Sequence, residues 1–369
     1  MLTDEIELID QHCHGIVAAD LNRPEFEALL GEGRRGSFES ALGLAVRRWC
    51  APVLGLPAHA PAEEYLARRG ELGWREVSAR LLRAAEVSRW LVDTGFGFDP
   101  AFAELCGGEV AEIVRIESVA ERVIAEYGLT AAVFDEIERA LRDSARGAAG
   151  LKTIAAYRCG LDFPAHGVPP AASAVSGSRL TDPRVLSWLV GLAARISAET
   201  GLPLQFHTGF GDTDLRLRRA DPLLLTDFLR ATEDTGATVV LLHCWPFHRN
   251  AAYLANVFGH VHLDLGLTIP HVGHRASAVL AEALELAPFA RLGYSSDGCG
   301  LAELHYLGAR LWRRGLGQVL DEWIADDAIT VADAEQLVAA VGAGNAARLY
   351  PGATPRFGHR PDSSDRPLR

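Results

Sequence analysis

Short apolar runs, each closed by a polar residue and a turn, recur along the chain between longer amphipathic segments. The β-branched and leucine-rich runs predict strands over 6–10, 90–94, 112–117, 151–156, 202–206, 238–242, 260–265 and 291–295. The intervening segments carry helix punctuation. Asp182-Pro183 and Asp221-Pro222 each set a capping carboxylate before a proline suited to the first helical position. After Asp182, the residues Val185, Leu186, Leu189, Leu192 and Ile196 recur at helical spacing, and the stripe stops at Gly201. Strands alternating with helices predict a parallel sheet covered by helices. A Rossmann sheet wants G-x-G-x-x-G after its first strand, whereas this one closes on Asp10-Gln11-His12-Cys13-His14-Gly15. The expected fold is therefore α/β, a TIM-like (β/α)8 barrel.

Two stretches exceed a minimal barrel. Residues 24–88 read as helical, notably 62–69 and 74–87, and are too long for one crossover. They predict a helical insertion after the first strand that roofs the barrel mouth. Residues 163–180 are rich in Pro, Ser, Ala and Gly, a loop of the length associated with functional lids. The expected division is a barrel domain over 1–351, with 24–88 as insertion and lid, and a loosely held polar tail over 352–369.

Composition narrows the function classes. The chain has 369 residues, of which 49% are hydrophobic and 23% charged, so a large core is available. A net charge of −12 disfavours nucleic acid and anionic membrane as partners. No run approaches the roughly 20 apolar residues that span a bilayer. The opening MLTDEIELID lacks the basic and apolar regions of a secretory signal, so the cytoplasm is the expected compartment. The six cysteines are scattered without a C-x-x-C pair and are expected to be free thiols rather than nucleophiles. A small-molecule substrate and a homodimer are the expected partners.

Chemistry is concentrated where apolar runs stop. His12 and His14 lie two apart at the end of the first run, a spacing that turns both imidazoles to one face. His207 closes LPLQFH, His243 closes TVVLLH and Asp297 closes RLGYSSD. In a barrel such ends converge on one face, and imidazole with carboxylate suits a borderline divalent cation such as zinc. Lys152, in GLKTIAAYR, reads equally as a snorkelling or salt-bridging lysine, a substrate-holding cation, or an N-carboxylated lysine bridging two ions.

This set, an H-x-H after the first strand, histidines after the fifth and sixth and an aspartate after the eighth, resembles the amidohydrolase superfamily. The closing GNAARLY over 344–350 is similar to that family's final helix, and KTIAAYRCG with YSSDGCGLAELHYLG resembles its amidohydrolase-related branch, which includes FluG-like modules. The resemblance implies His12, His14 and Asp297 as ligands of a deep metal. With one ion, His207 would be a further ligand and His243 an acid/base. With two ions, carboxylated Lys152 would bridge them and His207 and His243 would bind the second.

The expected function is a metal-dependent hydrolase, cleaving a C–N amide bond of a small molecule, with a γ-glutamyl amide suggested by the FluG-like association with glutamine-synthetase-like domains. A bound divalent metal lowers the pKa of water from ~16 to ~7. Asp297 is expected to accept that water's proton and return it to the departing amine, with the ion or His243 holding the oxyanion. Arg158 is the candidate fork for a substrate carboxylate and Glu303 a candidate for a substrate amine. His248, Arg249, His271 and His274 are further candidates for the mouth, Tyr157, Trp245 and Phe210 for pocket walls, and Asp212 and Asp214 are expected to be solvated. The alternatives are a single-metal decarboxylase or isomerase on the same site, and a barrel retained only for binding.

Overall fold

The computed structural model describes residues 1–33, 36–128, 132–162 and 179–351. Most of the 163–180 loop and the tail from 352 lie outside the described residues. Seven of the apolar runs form strands: β1 (Leu8–Cys13), β2 (Val87–Asp93), β3 (Glu109–Arg115), β4 (Gly150–Thr153), β5 (Leu204–Thr208), β6 (Val239–His243) and β7 (Val261–Leu263). They pair in parallel in chain order, giving one curled sheet wrapped by helices. Both faces of the sheet are covered, which is why its strands read as near-continuous apolar runs. Side chains alternate between two cores. Leu8, Trp90, Val92, Val110 and Val114 join the main core under the helices. Ile9, Leu91, Ala111 and Ile113 face inward and meet Ala346 and Tyr350.

The run 291–295 is not a regular strand, contrary to the expectation of an eighth. Its backbone divides its hydrogen bonds between the two edges of the sheet instead of building a ladder on one. Gly293 N donates to Leu263 O at 3.0 Å, while Gln11 N donates to Tyr294 O at 3.1 Å. A side chain at Gly293 would sit 2.4 Å from Gln11 Oε1, so glycine is what lets this segment in beside β1. Further along, Asp297 N donates to His12 O at 3.0 Å.

Other boundaries move for local reasons. β4 stops at Thr153 instead of continuing to 156, because Thr153 Oγ1 accepts from Ala155 N and starts the helical turn Ala155–Arg158. Between β1 and β2 lie the helices Arg23–Leu29, Ala41–Ala45, Ala62–Leu72 and Trp74–Ala84. The last ends short of 87 because Glu86, at φ 52°, turns the chain into β2. The helix Pro183–Thr200 has the Asp182 cap and the left-handed Gly201 stop that its sequence predicts. Asp221 caps a short 3-10 turn, Pro222–Leu225, before the helix Thr226–Thr232.

The GNAARLY segment plugs the floor. Asn345 Nδ2 donates to Phe289 O and Leu292 O, each at 2.7 Å, and so ties the final helix Asn345–Leu349 to the irregular segment. Tyr350 then enters the inner core with its hydroxyl 2.9 Å from Gln205 Nε2.

Candidate metal centre

The C-terminal ends of β1, β5 and β6 and the segment after Tyr294 bring four imidazoles around one carboxylate. Asp297 Oδ1 lies 3.1 Å from His12 Nε2 and 3.4 Å from His14 Nε2, and Asp297 Oδ2 lies 3.7 Å from His243 Nε2. The His207 and His243 rings are 4.6 Å apart. His12, His243 and Asp297 offer donor atoms all within 4.8 Å of one another, as do His12, His14 and Asp93. His243 and Asp297 hold positive φ, 67° and 50°, a strained backbone of the kind that clusters at functional sites. Asp264 secures the first of these, accepting from His243 N at 2.9 Å.

Second contacts set the imidazole tautomers. His12 Nδ1 lies 2.9 Å from Gln205 Oε1, whose own Nε2 donates to Gln11 O and Tyr350 Oη. His14 Nδ1 lies 3.1 Å from the Asp93 carbonyl. Each Nδ1 therefore carries the proton, which leaves Nε2 of both rings as a lone pair aimed at the centre. Burial, with Lys152 beside it, pushes His12 down to about 3, so the ring is neutral at neutral pH. Burial also lowers His207 and His243. For Asp297 burial acts upward, but His243, His12 and His14 together outweigh it and hold the carboxylate well below its usual range.

Among the described residues, His207 Nε2, both ring nitrogens of His243 and Asp297 Oδ1 are buried without a hydrogen-bond partner. Orphans of this kind are rare in native proteins, and a cluster of them on neutral imidazoles and one carboxylate fits a divalent cation.

Lys152 is packed into this cluster. Its Nζ lies 2.9 Å from His12 Nε2 and 3.3 Å from Asp93 Oδ2. Asp93 is also gripped by Arg115, at 2.7 Å from Nη2 and 3.1 Å from Nε. Burial pulls Lys152 down, partly countered by Asp93. Asp93, Arg115 and Gln205 escaped the sequence reading. Asp93 closes the run SRWLVD and Arg115 closes EIVR, so the rule that found the histidines would have found both.

A cavity of about 680 Å³ opens above the centre, lined by His14, Lys152, His207 and Asp297. Arg158 lines it too, with Nη2 on Glu121 at 3.2 Å. Tyr157 packs on His207 with ring centroids 4.5 Å apart, and His271 joins the wall. Asp212 and Asp214, expected to be solvated, also face this cavity. Glu303 is not brought to it. Its carboxylate is fully buried on Arg69 Nε at 2.6 Å and Tyr65 Oη at 2.8 Å, which ties it to the helix Ala62–Leu72 instead. His248 and Arg249 are engaged outside the mouth by Glu282 and Glu285. His274 lines a separate groove beside Trp49. Trp245 and Phe210 stack edge-to-face on each other. The cysteines among the described residues are free, and burial raises Cys299, next to the centre, to about 12, so it is no thiolate nucleophile.

A curled parallel sheet with histidines and an aspartate converging at its strand ends defines a metal-dependent enzyme of the TIM-barrel type. Residues 122–352 match the amidohydrolase family, and the chain belongs to it. A solved structure from Lactobacillus casei ATCC 334, described as a metal-dependent hydrolase, superposes with a TM-score of 0.85 at 28% identity, over 94% of this chain and 96% of that one. Uronate isomerase from Thermotoga maritima shares the fold, with a TM-score of 0.64 at 16% identity over 95% and 96% of the two chains. The protein fluG of Emericella nidulans is 33% identical over 220 residues, which is 54% of this chain and 25% of that protein. The match thus spans about a quarter of that relative's length. Among the described residues, no helix is long and apolar enough to cross a membrane.

Proposed function

We propose that this chain is a zinc-dependent hydrolase that cleaves the C–N bond of a small amide, with a γ-glutamyl amide the first substrate to test. The observation that carries the reading is the Asp297 carboxylate set among three imidazoles on the floor of an open cavity. A divalent cation held by His12, His14 and Asp297, with His207 and His243 at hand, would supply an acidified water and polarise the scissile carbonyl. Asp297 stays ionised in its ring of imidazoles and can take up a proton at its carboxylate oxygen. It can then deliver that proton to the departing amine, a delivery amide hydrolysis requires because an amine anion leaves badly. Among the described residues Arg158 Nε and Nη1 have no partner, and they suit a substrate carboxylate. Leu29 and Glu32, from the helical stretch between β1 and β2, line the cavity, which supports a roofing role for that stretch.

A second reading, isomerase or decarboxylase chemistry at one metal, is favoured by Lys152. Its contact with Asp93 opposes the neutralisation that burial favours, and a lysine that bridges two ions must be neutral before it is carboxylated. Metal content per chain, measured on protein produced with and without bicarbonate, separates the two. Two equivalents that depend on bicarbonate are expected for the hydrolase. One equivalent places the rival chemistries level with it, and none after reconstitution overturns both.

A further inference from the structure

The cavity above the centre is walled by charges of both signs, and they are unevenly engaged. On the cationic side Arg115 is held twice by Asp93, and Arg179 pairs with Asp214 at 3.0 Å. Among the described residues Arg158 gives only Nη2 to Glu121, a carboxylate it shares with Leu180 N, and its other two nitrogens are buried without a partner. On the acidic side Asp214 is taken by Arg179, and Asp212 Oδ1 accepts from Asp214 N at 2.8 Å. Glu32 lines the same cavity and has no ion pair or hydrogen bond among the described residues.

Glu32 sits in the turn that follows the helix Arg23–Leu29. That turn is drawn in tightly: a side chain at Gly36 would lie 2.3 Å from Glu27 O and 3.0 Å from Gly31 N. Burial, and the neighbouring charges of Asp297 and Asp212, push the Glu32 carboxyl up to about 7. A carboxylate so placed is relieved by a cation and aggravated by an anion. Arg158 enters from the turn after β4, so the Glu32 carboxylate and the partly engaged guanidinium reach the cavity from different parts of the chain.

We propose that Glu32 binds the ammonium group of a zwitterionic substrate whose carboxylate lies on Arg158, so that the cavity selects an amino-acid acyl group over a plain dicarboxylic one. This rests on the γ-glutamyl reading of the same site and adds the residue that reads the substrate's positive charge. Asp212 reinforces the negative pole without replacing Glu32, because it is already engaged within its own turn.

The test needs no turnover. Zinc-loaded protein is titrated calorimetrically, above neutral pH, with L-glutamate and with glutarate, which differ by the ammonium group alone. Wild type is expected to bind glutamate about tenfold more tightly, the worth of one charge-assisted hydrogen bond. Glu32→Gln should erase that preference while leaving glutarate binding intact, and Glu32→Asp should restore part of it. Arg158→Gln should weaken both ligands. A preference that survives Glu32→Gln, or a wild type that binds both ligands alike, overturns the assignment of Glu32 alone. A zinc-loaded wild type that binds neither ligand overturns the γ-glutamyl reading, and the assignment of Glu32 with it.

Discussion

The centre has two unlike halves. On the side of β1, β2 and β4 the groups of the centre have protein partners: His12 Nδ1 in Gln205, His14 Nδ1 in the Asp93 carbonyl, and Asp93 in Arg115 and Lys152. On the side of β5 and β6, His207 and His243 leave ring nitrogens buried and unanswered. The first half is rigid because its hydrogen bonds close on one another, and it fixes the direction of the ligands. The second half lacks partners that only an ion or substrate would provide. One half is therefore oriented by the fold before anything binds, while the other is left open, although the same strand-end positions build both.

Substitutions should separate these roles. The largest effect is expected from Asp93→Asn, which strands two buried cations without their counter-ion and should cost about 3–5 kcal/mol of stability in denaturant unfolding. A variant as stable as wild type would show that the answered half is not what holds the strand ends. His207→Leu should act the other way round. Zinc affinity should fall by about 100-fold, or ~2.7 kcal/mol, while the metal-free protein unfolds no more easily than wild type because an orphaned nitrogen is gone. Tyr350→Phe removes one hydrogen bond to Gln205 and should cost about 0.5–1.5 kcal/mol, with a measurable loss of zinc affinity as His12 loses its brace.

The smallest effect near neutrality concerns a buried imidazole away from the centre. His262 is pushed down from 6.5 to about 3 by burial and by Arg291, whose Nη1 lies 2.9 Å from its Nε2. The unfolded chain takes up a proton near 6.5 that the folded chain refuses until about 3. Its stabilising contribution is therefore complete above 6.5 and is lost as pH falls through that window. In His262→Gln, unfolding monitored against pH should lose that part of the slope. An unchanged slope would assign the acid sensitivity to the histidines of the centre.

Much of this arrangement is legible in the chain. The five polar residues that close apolar runs at 12, 14, 207, 243 and 297 all meet, because parallel strands must end at one face. What escaped is what depends on partners far away in sequence. Glu303, placed beside Asp297 by its number, is claimed by Arg69 and Tyr65 from the helix Ala62–Leu72. Lys152 was ambiguous because its meaning lies in Asp93 and Arg115, two run-closing residues whose pairing with it appears only once the strands are side by side. The eighth strand failed for a similar reason: Leu292 and Tyr294 have the residue types of a strand, but Gly293 seats the segment between two sheet edges. Glu32 gave no periodic signal, lying in a turn whose importance comes only from what it overhangs.

The anchoring of Tyr350 has a consequence for synthesis. Its hydroxyl reaches Gln205, which orients His12, so one of the first proposed ligands made is braced by one of the last described residues made. A ribosome-bound chain that has already exposed His12, His14 and His207 still lacks the floor that aims them. Capture of metal should consequently lag translation until residue 350 has emerged, and a chain halted before that point should compete poorly for zinc however many of its ligands it carries.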